Sequence, residues 1–354
     1  MTGTVRRLAG FILSAVSLIV SPVWCRGDGL QVERDPDTGW AVYRFKQGDS
    51  EVALVPEAGF NVASWRYRGQ EILRQAPRMD ELRGVGYGVP ILYPTPNRVR
   101  GAAFEFGGRQ FKFPDNNGGN FIHGLVHSTP WQISSIRPGG PSQRVTGRLV
   151  FGEDKEPLNL FPIPHALSVT LSVTNNAIRW SYIVDNRGNQ QPIPFGFALH
   201  PYFNYLSPRQ ATTIRIPAAH VMEARDLLPT AKLLPLDGHP LDARKPRPLS
   251  ELHADDVYEG MKPNEPTEVV FTDQHLKLKL TASREFTHLV LYTPDQPFFC
   301  VENQTCSTDA HNLHAAGHKE AAHLLICPPG RQMTGFVEYS IEPAPDTPPK
   351  SNPQ

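Results

Sequence analysis

Two residues that lie far apart in the sequence, His200 and Glu302, have side chains suited to proton transfer. His200 stands in the mainly apolar stretch 194–204, directly before Pro201. Proline cannot continue a helix and disfavours a helical residue before it, so we predict that His200 ends a strand. An imidazole can accept or donate a proton near neutral pH, and the aromatic Tyr202 nearby would offer a ligand a flat apolar surface. This stretch therefore predicts an acid/base group at the edge of a binding site.

Glu302 directly follows an apolar, strand-like run, residues 298–301. Burial of an unpaired carboxylate is costly, so a polar partner is expected. A carboxylate and an imidazole placed across one ring could accept a proton from one oxygen and donate a proton to its neighbour, which is what the opening of a hemiacetal requires. Partial desolvation would make Glu302 a better base by raising its pKa. The plainer interpretation is structural: a core histidine bonded to the backbone and a carboxylate in an ion pair.

Segments in which apolar and polar residues alternate run through most of the chain and predict half-buried antiparallel strands. Two hairpins are predicted, one turning at residues 107–108 and one at residues 175–176. The 35 prolines and 28 glycines indicate many turns and few long helices. The sequence thus predicts an all-β fold, a large antiparallel β-sandwich, and excludes a parallel α/β fold. The main predicted strands are 41–45, 52–55, 62–67, 131–136, 144–151, 166–174, 177–185, 212–217, 221–223, 267–271, 276–282, 288–293, 298–302, 322–327 and 335–342.

Two segments lack this alternation. Residues 228–255 are rich in proline and leucine, and we predict a long surface loop there. Residues 311–323 contain four histidines. His318 and His323 do not have the spacing of a helical zinc-protease pair, so a solvated loop is expected.

Composition favours neutral partners. The 35 lysines and arginines equal the 35 aspartates and glutamates, which gives a formal net charge of zero. Nucleic-acid-binding and basic membrane-surface proteins usually carry an excess of positive charge, so neither class is favoured. At 354 residues the chain can form a large core, and a β-sandwich of this length can fold as one domain.

The N-terminal residues 1–25 have the order of a secretory signal. Arg6 and Arg7 precede the apolar residues 8–20, and small or turn-forming residues follow. The apolar run is short for a membrane span, although an uncleaved N-terminal anchor remains open. We therefore expect an exported protein, periplasmic or secreted.

One folded domain, residues 26–343, is expected between this signal and a disordered proline-rich tail, residues 344–354. No Cys-x-x-Cys pair occurs, so a metal site built from cysteines is not expected, and nothing predicts another cofactor. The four cysteines are Cys25, Cys300, Cys306 and Cys327.

Four motifs in order resemble those of the aldose 1-epimerases, also called galactose mutarotases. They are residues 97–101 (NRVRG), 117–124 (NGGNFIHG), 200–204 (HPYFN) and 301–305 (VENQT). The resemblance spans about residues 52 to 342. It implies the supersandwich fold of galactose mutarotases and an enzyme that interconverts the α and β anomers of a free aldose without metal or nucleotide.

The resemblance also implies roles for particular residues. The glutamate matching Glu302 takes the proton of the anomeric hydroxyl, and the histidine matching His200 protonates the ring oxygen. Hydroxyl-binding residues would be Asn97, Arg98 and His123. An aspartate from the pair at 255–256 should anchor a further hydroxyl, with Asp256 favoured over Asp255.

Other functions remain open at this stage, because a fold does not determine an activity. One is an exported carbohydrate-binding protein without turnover. Another is an enzyme acting on a longer or modified carbohydrate, such as a polysaccharide lyase. Epimerisation of a sugar phosphate is less favoured, although Arg98 and Arg100 could bind a phosphate.

Overall fold

A computed structural model of the chain describes residues 29–152, 155–263 and 265–344. The predicted signal, residues 1–25, and all of the predicted tail beyond Ala344 lie outside the described residues. Within them, no helix has the length and apolar character that a membrane span needs.

Regular structure in the described part of the chain is almost entirely strand. The strands are β1 (Gly29–Arg34), β2 (Ala41–Gln47), β3 (Ser50–Val55), β4 (Asn61–Tyr67), β5 (Gln70–Glu71), β6 (Ile91–Leu92), β7 (Arg98–Val99), β8 (Ala103–Phe106), β9 (Arg109–Lys112), β10 (Phe121–Ile122), β11 (Gln132–Arg137), β12 (Gln143–Phe151), β13 (His165–Val173), β14 (Ala177–Asp185), β15 (Ile193–Phe195), β16 (Ala198–Leu199), β17 (Tyr202–Asn204), β18 (Thr212–Arg215), β19 (His220–Arg225), β20 (Leu228–Pro235), β21 (Arg247–Pro248), β22 (Asp255–Glu259), β23 (Thr267–Phe271), β24 (Leu276–Ala282), β25 (His288–Tyr292), β26 (Phe298–Gln304), β27 (Leu325–Cys327) and β28 (Gln332–Pro343).

Helices are short. The α-helices are α1 (Ala310–Ala315) and α2 (Lys319–Ala322). Single 3₁₀ turns occur at Pro56–Ala58, Met79–Arg83, Arg100–Ala102, Leu158–Leu160, Arg209–Ala211, Leu249–Glu251 and Thr272–Gln274.

Three larger antiparallel sheets organise the strands, which confirms the predicted fold class. Strands β1 to β5 form a five-stranded sheet in sequence order. A nine-stranded sheet has the order β11-β12-β13-β14-β28-β24-β23-β18-β21. An eight-stranded sheet has the order β20-β19-β22-β25-β26-β16-β6, with β17 also paired to β26. Two-stranded pairs form from β7 with β10, β8 with β9, and β15 with β27.

The core lies between the sheets, as the alternating sequence requires. On β13, Leu167, Val169 and Leu171 are buried, whereas the residues between them are partly exposed. Each such side chain stabilises the fold by about 1.5–3 kcal/mol through removal of apolar surface from water. Phe203 of the eight-stranded sheet meets Tyr339 of the nine-stranded sheet with ring centroids 5.6 Å apart. The two sheets therefore share one apolar interior.

Both predicted hairpins are confirmed: β8 and β9 turn at residues 107–108, and β13 and β14 turn at residues 175–176. The predicted loop at 228–255 is wrong. Its first part is β20, which pairs with β19, and a short strand at 247–248 pairs with β18. Because β20 lies at the edge of its sheet, prolines there cost no hydrogen bond to a further strand.

The predicted solvated loop at 311–323 is also wrong. This segment contains most of α1 and all of α2. His311 is buried, where its ring stacks on Phe104 at a centroid distance of 4.1 Å. His311 is therefore a packed core residue and not part of a solvated loop.

Candidate active site

One face of the eight-stranded sheet forms the floor of the candidate site. On β26, side chains alternate between the two faces, so Cys300, Glu302 and Gln304 share one face. Glu302 pairs with Val290 on β25, which in turn pairs with Val257 on β22. Glu302 is therefore held in the middle of a continuous antiparallel ladder rather than on a loop.

The backbone brings His200 to the same face, beside Glu302. His200 lies between β16 and β17, in which Ala198 pairs with Gln304 and Tyr202 pairs with Cys300. His200 accordingly stands opposite Glu302, and its Nε2 atom is 3.2 Å from Glu302 Oε1. The two side chains, here called the reacting pair, are only 7% and 3% exposed.

Hydrogen bonds and stacking fix both members of the reacting pair. The second carboxyl oxygen of Glu302 accepts a hydrogen bond from Gln304 Nε2 (3.1 Å). The His200 ring stacks on Tyr202 with centroids 4.6 Å apart, and the Tyr202 hydroxyl lies 3.4 Å from His200 Nε2. The aromatic surface predicted next to His200 is thus present.

Burial shifts the pKa of each member in the direction of its neutral form. Burial, followed by the charge of Asp255, raises the pKa of Glu302 well above its ordinary value; Gln304 and Arg98 offset part of the shift. Burial lowers the pKa of His200 to about 3, and nearby His127 adds to the effect. Because separate charges are disfavoured, the reacting pair is expected to hold one shared proton across a wide pH range.

A second imidazole, His123, lies against the reacting pair. Its ring meets the His200 ring edge to face, with centroids 5.2 Å apart. Burial and the nearby His200 lower the pKa of His123 well below its ordinary value, so this ring is neutral. Among the contacts of the described residues, neither His123 Nδ1 nor His200 Nδ1 has a hydrogen-bond partner. Both nitrogens are therefore free to form a hydrogen bond with a polar ligand.

The backbone at His123 and Gly124 is in the left-handed region. His123 has φ 74° and is followed by Gly124, with φ 69°. A Cβ atom at residue 124 would lie 2.4 Å from the carbonyl oxygen of Tyr93, so only glycine fits. The His123 N–H donates to the carbonyl of Asn97 (3.0 Å), which joins this loop to the strand carrying Arg98.

Arg98 is the cation of the site and is held by two asparagines. Its Nε donates to Asn117 Oδ1 (2.9 Å), and its Nη1 lies 3.2 Å from Asn97 Oδ1. Asn97 Oδ1 also accepts the backbone N–H of Arg98 (2.8 Å). The positive charge of Arg98 lowers the pKa of both Glu302 and Asp255, against the larger effect of burial. The guanidinium thus acts on both carboxyl groups.

The strand register separates the two neighbouring aspartates. Asp255 pairs with Tyr292, which pairs with Cys300, so Asp255 shares the face of Glu302. Asp256 alternates to the other face, that of the buried Tyr258. The charge of Asp255 raises the pKa of Glu302, and no such effect of Asp256 on Glu302 is found. The structure therefore favours Asp255, where the sequence favoured Asp256.

Sequence reasoning missed three residues that support the site: Gln304, Asn117 and Asp309. Gln304 could have been found from strand periodicity, since it lies two residues beyond Glu302. Asn117 belongs to the motif at residues 117–124, but its contact with Arg98 depends on the fold. Asp309 follows no recognisable pattern.

The described residues bring together no cluster of three or more His, Cys, Asp or Glu side chains able to hold a metal ion. Cys300, Cys306 and Cys327 are buried free thiols. The site presents imidazoles, amides, the Arg98 guanidinium and carboxyl groups, which can form hydrogen bonds with hydroxyl groups.

Comparison with known proteins assigns the chain to a family. The family model of aldose 1-epimerase matches residues 41–340. The chain belongs to the aldose 1-epimerase family. The resemblance expected from the four motifs is thereby confirmed. No curated protein gives a significant match to this chain.

Solved structures share the fold of this aldose 1-epimerase family member at low identity. A galactose mutarotase-like protein from Clostridium acetobutylicum has a TM-score of 0.76 and 18% identity, covering 89% of this chain and 99% of that one. Galactose 1-epimerase from Lactobacillus acidophilus NCFM has a TM-score of 0.71 and 15% identity, covering 90% and 98%. A putative aldose 1-epimerase from Escherichia coli K12 has a TM-score of 0.70 and 18% identity, covering 85% and 99%.

Proposed function

We propose that this protein is a mutarotase that interconverts the α and β anomers of a free aldose by acid/base opening and closure of the ring. The observation that carries the proposal is the buried contact of 3.2 Å between His200 Nε2 and Glu302 Oε1. An acid and a base this close can each serve one of the two oxygens on a single anomeric carbon. Membership of the aldose 1-epimerase family supports a reaction of this kind.

The proton balance of the reaction suits a pair that holds one proton. Burial favours the form with the shared proton on Glu302, and ring opening proceeds from the form in which that proton has moved across the 3.2 Å contact to His200. In that form Glu302, as carboxylate, accepts the proton of the anomeric hydroxyl, while His200, as imidazolium, donates a proton to the ring oxygen. The bond between the anomeric carbon and the ring oxygen breaks, and a carbonyl forms. The proton has then moved in effect from His200 to Glu302. After rotation about the bond between the first two carbons, the reverse transfers close the ring to the other anomer and restore the pair.

The surrounding residues would bind and orient the sugar. Arg98 and His123 would donate hydrogen bonds to sugar oxygens, and Asn97 keeps Arg98 in place. Asp255, rather than Asp256, would accept a hydrogen bond from a ring hydroxyl, because it shares the face of Glu302. Tyr202 would pack its ring beside the sugar. Burial of the pair removes competing water, which strengthens each of these polar interactions.

Polarimetry on freshly dissolved α-D-glucose or α-D-galactose tests the proposal, with spontaneous mutarotation as the background. The wild-type protein should speed equilibration, and Glu302→Gln and His200→Asn should each abolish most of that effect. Equal equilibration rates for wild type and both variants would overturn the proposal. Saturable sugar binding by calorimetry without any acceleration would indicate a carbohydrate-binding protein instead.

A further inference from the structure

Beyond the reacting pair, the same sheet face ends in a small pocket whose outer wall is apolar. The pocket is shallow: its cavity volume is about 10 Å³, within about 320 Å³ of space that includes open solvent. Arg98 and Asp255 line its inner side, and Met222, Leu227 and Pro229 line its outer side. In the strand order β26-β25-β22-β19, three spacings of about 4.8 Å place Met222 roughly 14 Å from Glu302. The pocket thus lies where the part of a sugar farthest from its anomeric carbon would reach.

The hairpin of β19 and β20 builds this outer wall and is tied to the site. Arg100 Nη2 donates to the carbonyl of Pro229 (3.3 Å), which links the hairpin to the segment that follows Arg98. Arg225 pairs with Leu228, so residues 226–227 form the two-residue turn at the tip. The wall is therefore held at a fixed distance from the polar side of the cleft.

Leu227, at the tip, combines two unfavourable features. It has φ 62°, a left-handed conformation that costs a branched side chain about 1 kcal/mol and that glycine or asparagine adopts more easily. It is also 43% exposed, which leaves a large apolar side chain in water. Strain and exposed apolar surface together at a cleft indicate a residue kept for contact with a ligand.

Charge argues against an anionic group in this pocket. Arg98 already faces the carboxyl groups of Glu302 and Asp255. Arg100, the other arginine of the motif, is paired with the buried Asp309 at 3.4 Å. A phosphate or carboxylate at the far end of a sugar would meet Asp255 on one side and apolar side chains on the other. Its only counter-charge among the lining residues would be Arg98, which already acts on Glu302 and Asp255, so the loss of hydration would be poorly offset.

We propose that Leu227 and the hairpin tip are specificity determinants that select neutral aldoses whose far end is apolar, such as 6-deoxyhexoses, against hexose 6-phosphates. This inference rests on the proposed function, because it assigns the substrate of the same site. A methyl group in place of a hydroxymethyl group would cover Leu227 and leave no hydroxyl unpaired. Since one small apolar group in a pocket discriminates by roughly 10- to 200-fold, a preference of about tenfold is expected.

A matched series tests the inference: D-fucose, D-galactose and D-galactose 6-phosphate differ only at the sixth carbon. Anomer exchange measured by NMR should give kcat/KM about tenfold higher for D-fucose than for D-galactose and no detectable enzymatic exchange for the phosphate. Leu227→Asn suits the left-handed turn and removes the apolar contact. It should reduce the D-fucose preference about tenfold without lowering the melting temperature, because the exposed apolar side chain of the wall is lost and the hairpin is kept.

Val32→Asn serves as the matched control, because Val32 is an exposed apolar residue (53%) on the edge strand β1 of another sheet. It should leave the substrate ratio unchanged. A wild-type preference for D-galactose or its phosphate, or an unchanged ratio in Leu227→Asn, would overturn the inference while leaving the mutarotase function intact. If none of the three sugars exchanges faster than spontaneously, the proposed function fails and this inference fails with it.

Discussion

Replacement of Asp309 should loosen the turn at residues 100–102, which directly follows the strand that carries Arg98. Asp309 is a buried carboxylate whose Oδ1 accepts hydrogen bonds from the Arg100 N–H (3.0 Å) and from Asn312 Nδ2 (2.7 Å). Its own N–H donates to the carbonyl of Arg98 (2.8 Å). The residue also has φ 56°, a conformation that aspartate and asparagine tolerate better than most residues. The side chain thus joins α1 to the turn that follows β7, and the backbone N–H of the same residue bonds to Arg98 of β7.

The contacts set the expected magnitude. Loss of a hydrogen bond to a charged group costs about 1.5–3 kcal/mol, and alanine in the left-handed region costs about 1 kcal/mol more. Asp309→Ala should therefore lower the free energy of unfolding by about 2.5–4 kcal/mol. Asp309→Asn keeps an oxygen acceptor and the backbone preference, so it should lose only about 1 kcal/mol.

Urea unfolding and steady-state anomer exchange measure the two effects separately. If Asp309 positions Arg98 for sugar binding, Asp309→Asn should raise KM severalfold and leave kcat nearly unchanged, because it alters binding rather than proton transfer. Asp80→Asn, which removes an exposed acid from a surface pair with Arg78, should change neither stability nor KM. Wild-type stability of Asp309→Ala, or a fall in kcat without a rise in KM for Asp309→Asn, would refute this role.

Three further results are expected. Because burial lowers the pKa of His165 from 6.5 to about 4, the fold should lose about 3 kcal/mol as pH falls from about 6.5 to about 4, since the unfolded chain binds the proton first. His165→Asn should flatten this part of the curve of unfolding free energy against pH, and equal slopes for the wild type and the variant would contradict the assignment. Gly124→Ala should destabilise the protein by about 3 kcal/mol in urea unfolding, because a Cβ atom at this position would meet Tyr93. Gly118 has a similar positive φ but open space around it, so Gly118→Ala should cost only about 1 kcal/mol. Equal losses would show that the close approach to Tyr93 is unimportant. The rate of anomer exchange should not vary with pH around neutrality. The rate should fall in acid, where the reacting pair gains a second proton, and in base, where the pair loses its proton. A single titration near pH 6.5 would instead indicate an ordinary exposed imidazole.

Strand periodicity predicted most of this fold because alternation reports burial directly. On β14, the buried Ile178, Trp180, Tyr182 and Val184 follow the period of two that marks a half-buried strand. The prediction failed where local composition misled. The prolines of β20 lie on a sheet edge, where a missing N–H costs nothing, and only the completed sheet shows which strands are edges.

Short helices escaped prediction for a related reason. Helices α1 and α2 have six and four residues, too few to show a helical period or to be stable alone. Tertiary contacts stabilise α1, including the stacking of His311 on Phe104. This contact joins residues about two hundred positions apart, so no local sequence pattern predicts it.

The candidate site was predictable in its residue types and less so in its geometry. Motif order marked His200 and Glu302, and their separation in the sequence says nothing about the 3.2 Å between them. The choice between Asp255 and Asp256 depends on a one-residue shift in strand register, which moves a side chain to the opposite face. Only the pairing of β22 with β25 resolves it.

A double-mutant cycle on the reacting pair tests the central claim most directly. Anomer exchange rates of Glu302→Gln, His200→Asn and the double variant would be measured by NMR above the spontaneous rate. If the two side chains transfer protons as one unit, the double variant should be no slower than the slower single variant, because either change already stops the concerted transfer. Losses that multiply in the double variant, or single variants that retain wild-type exchange, would contradict this mechanism.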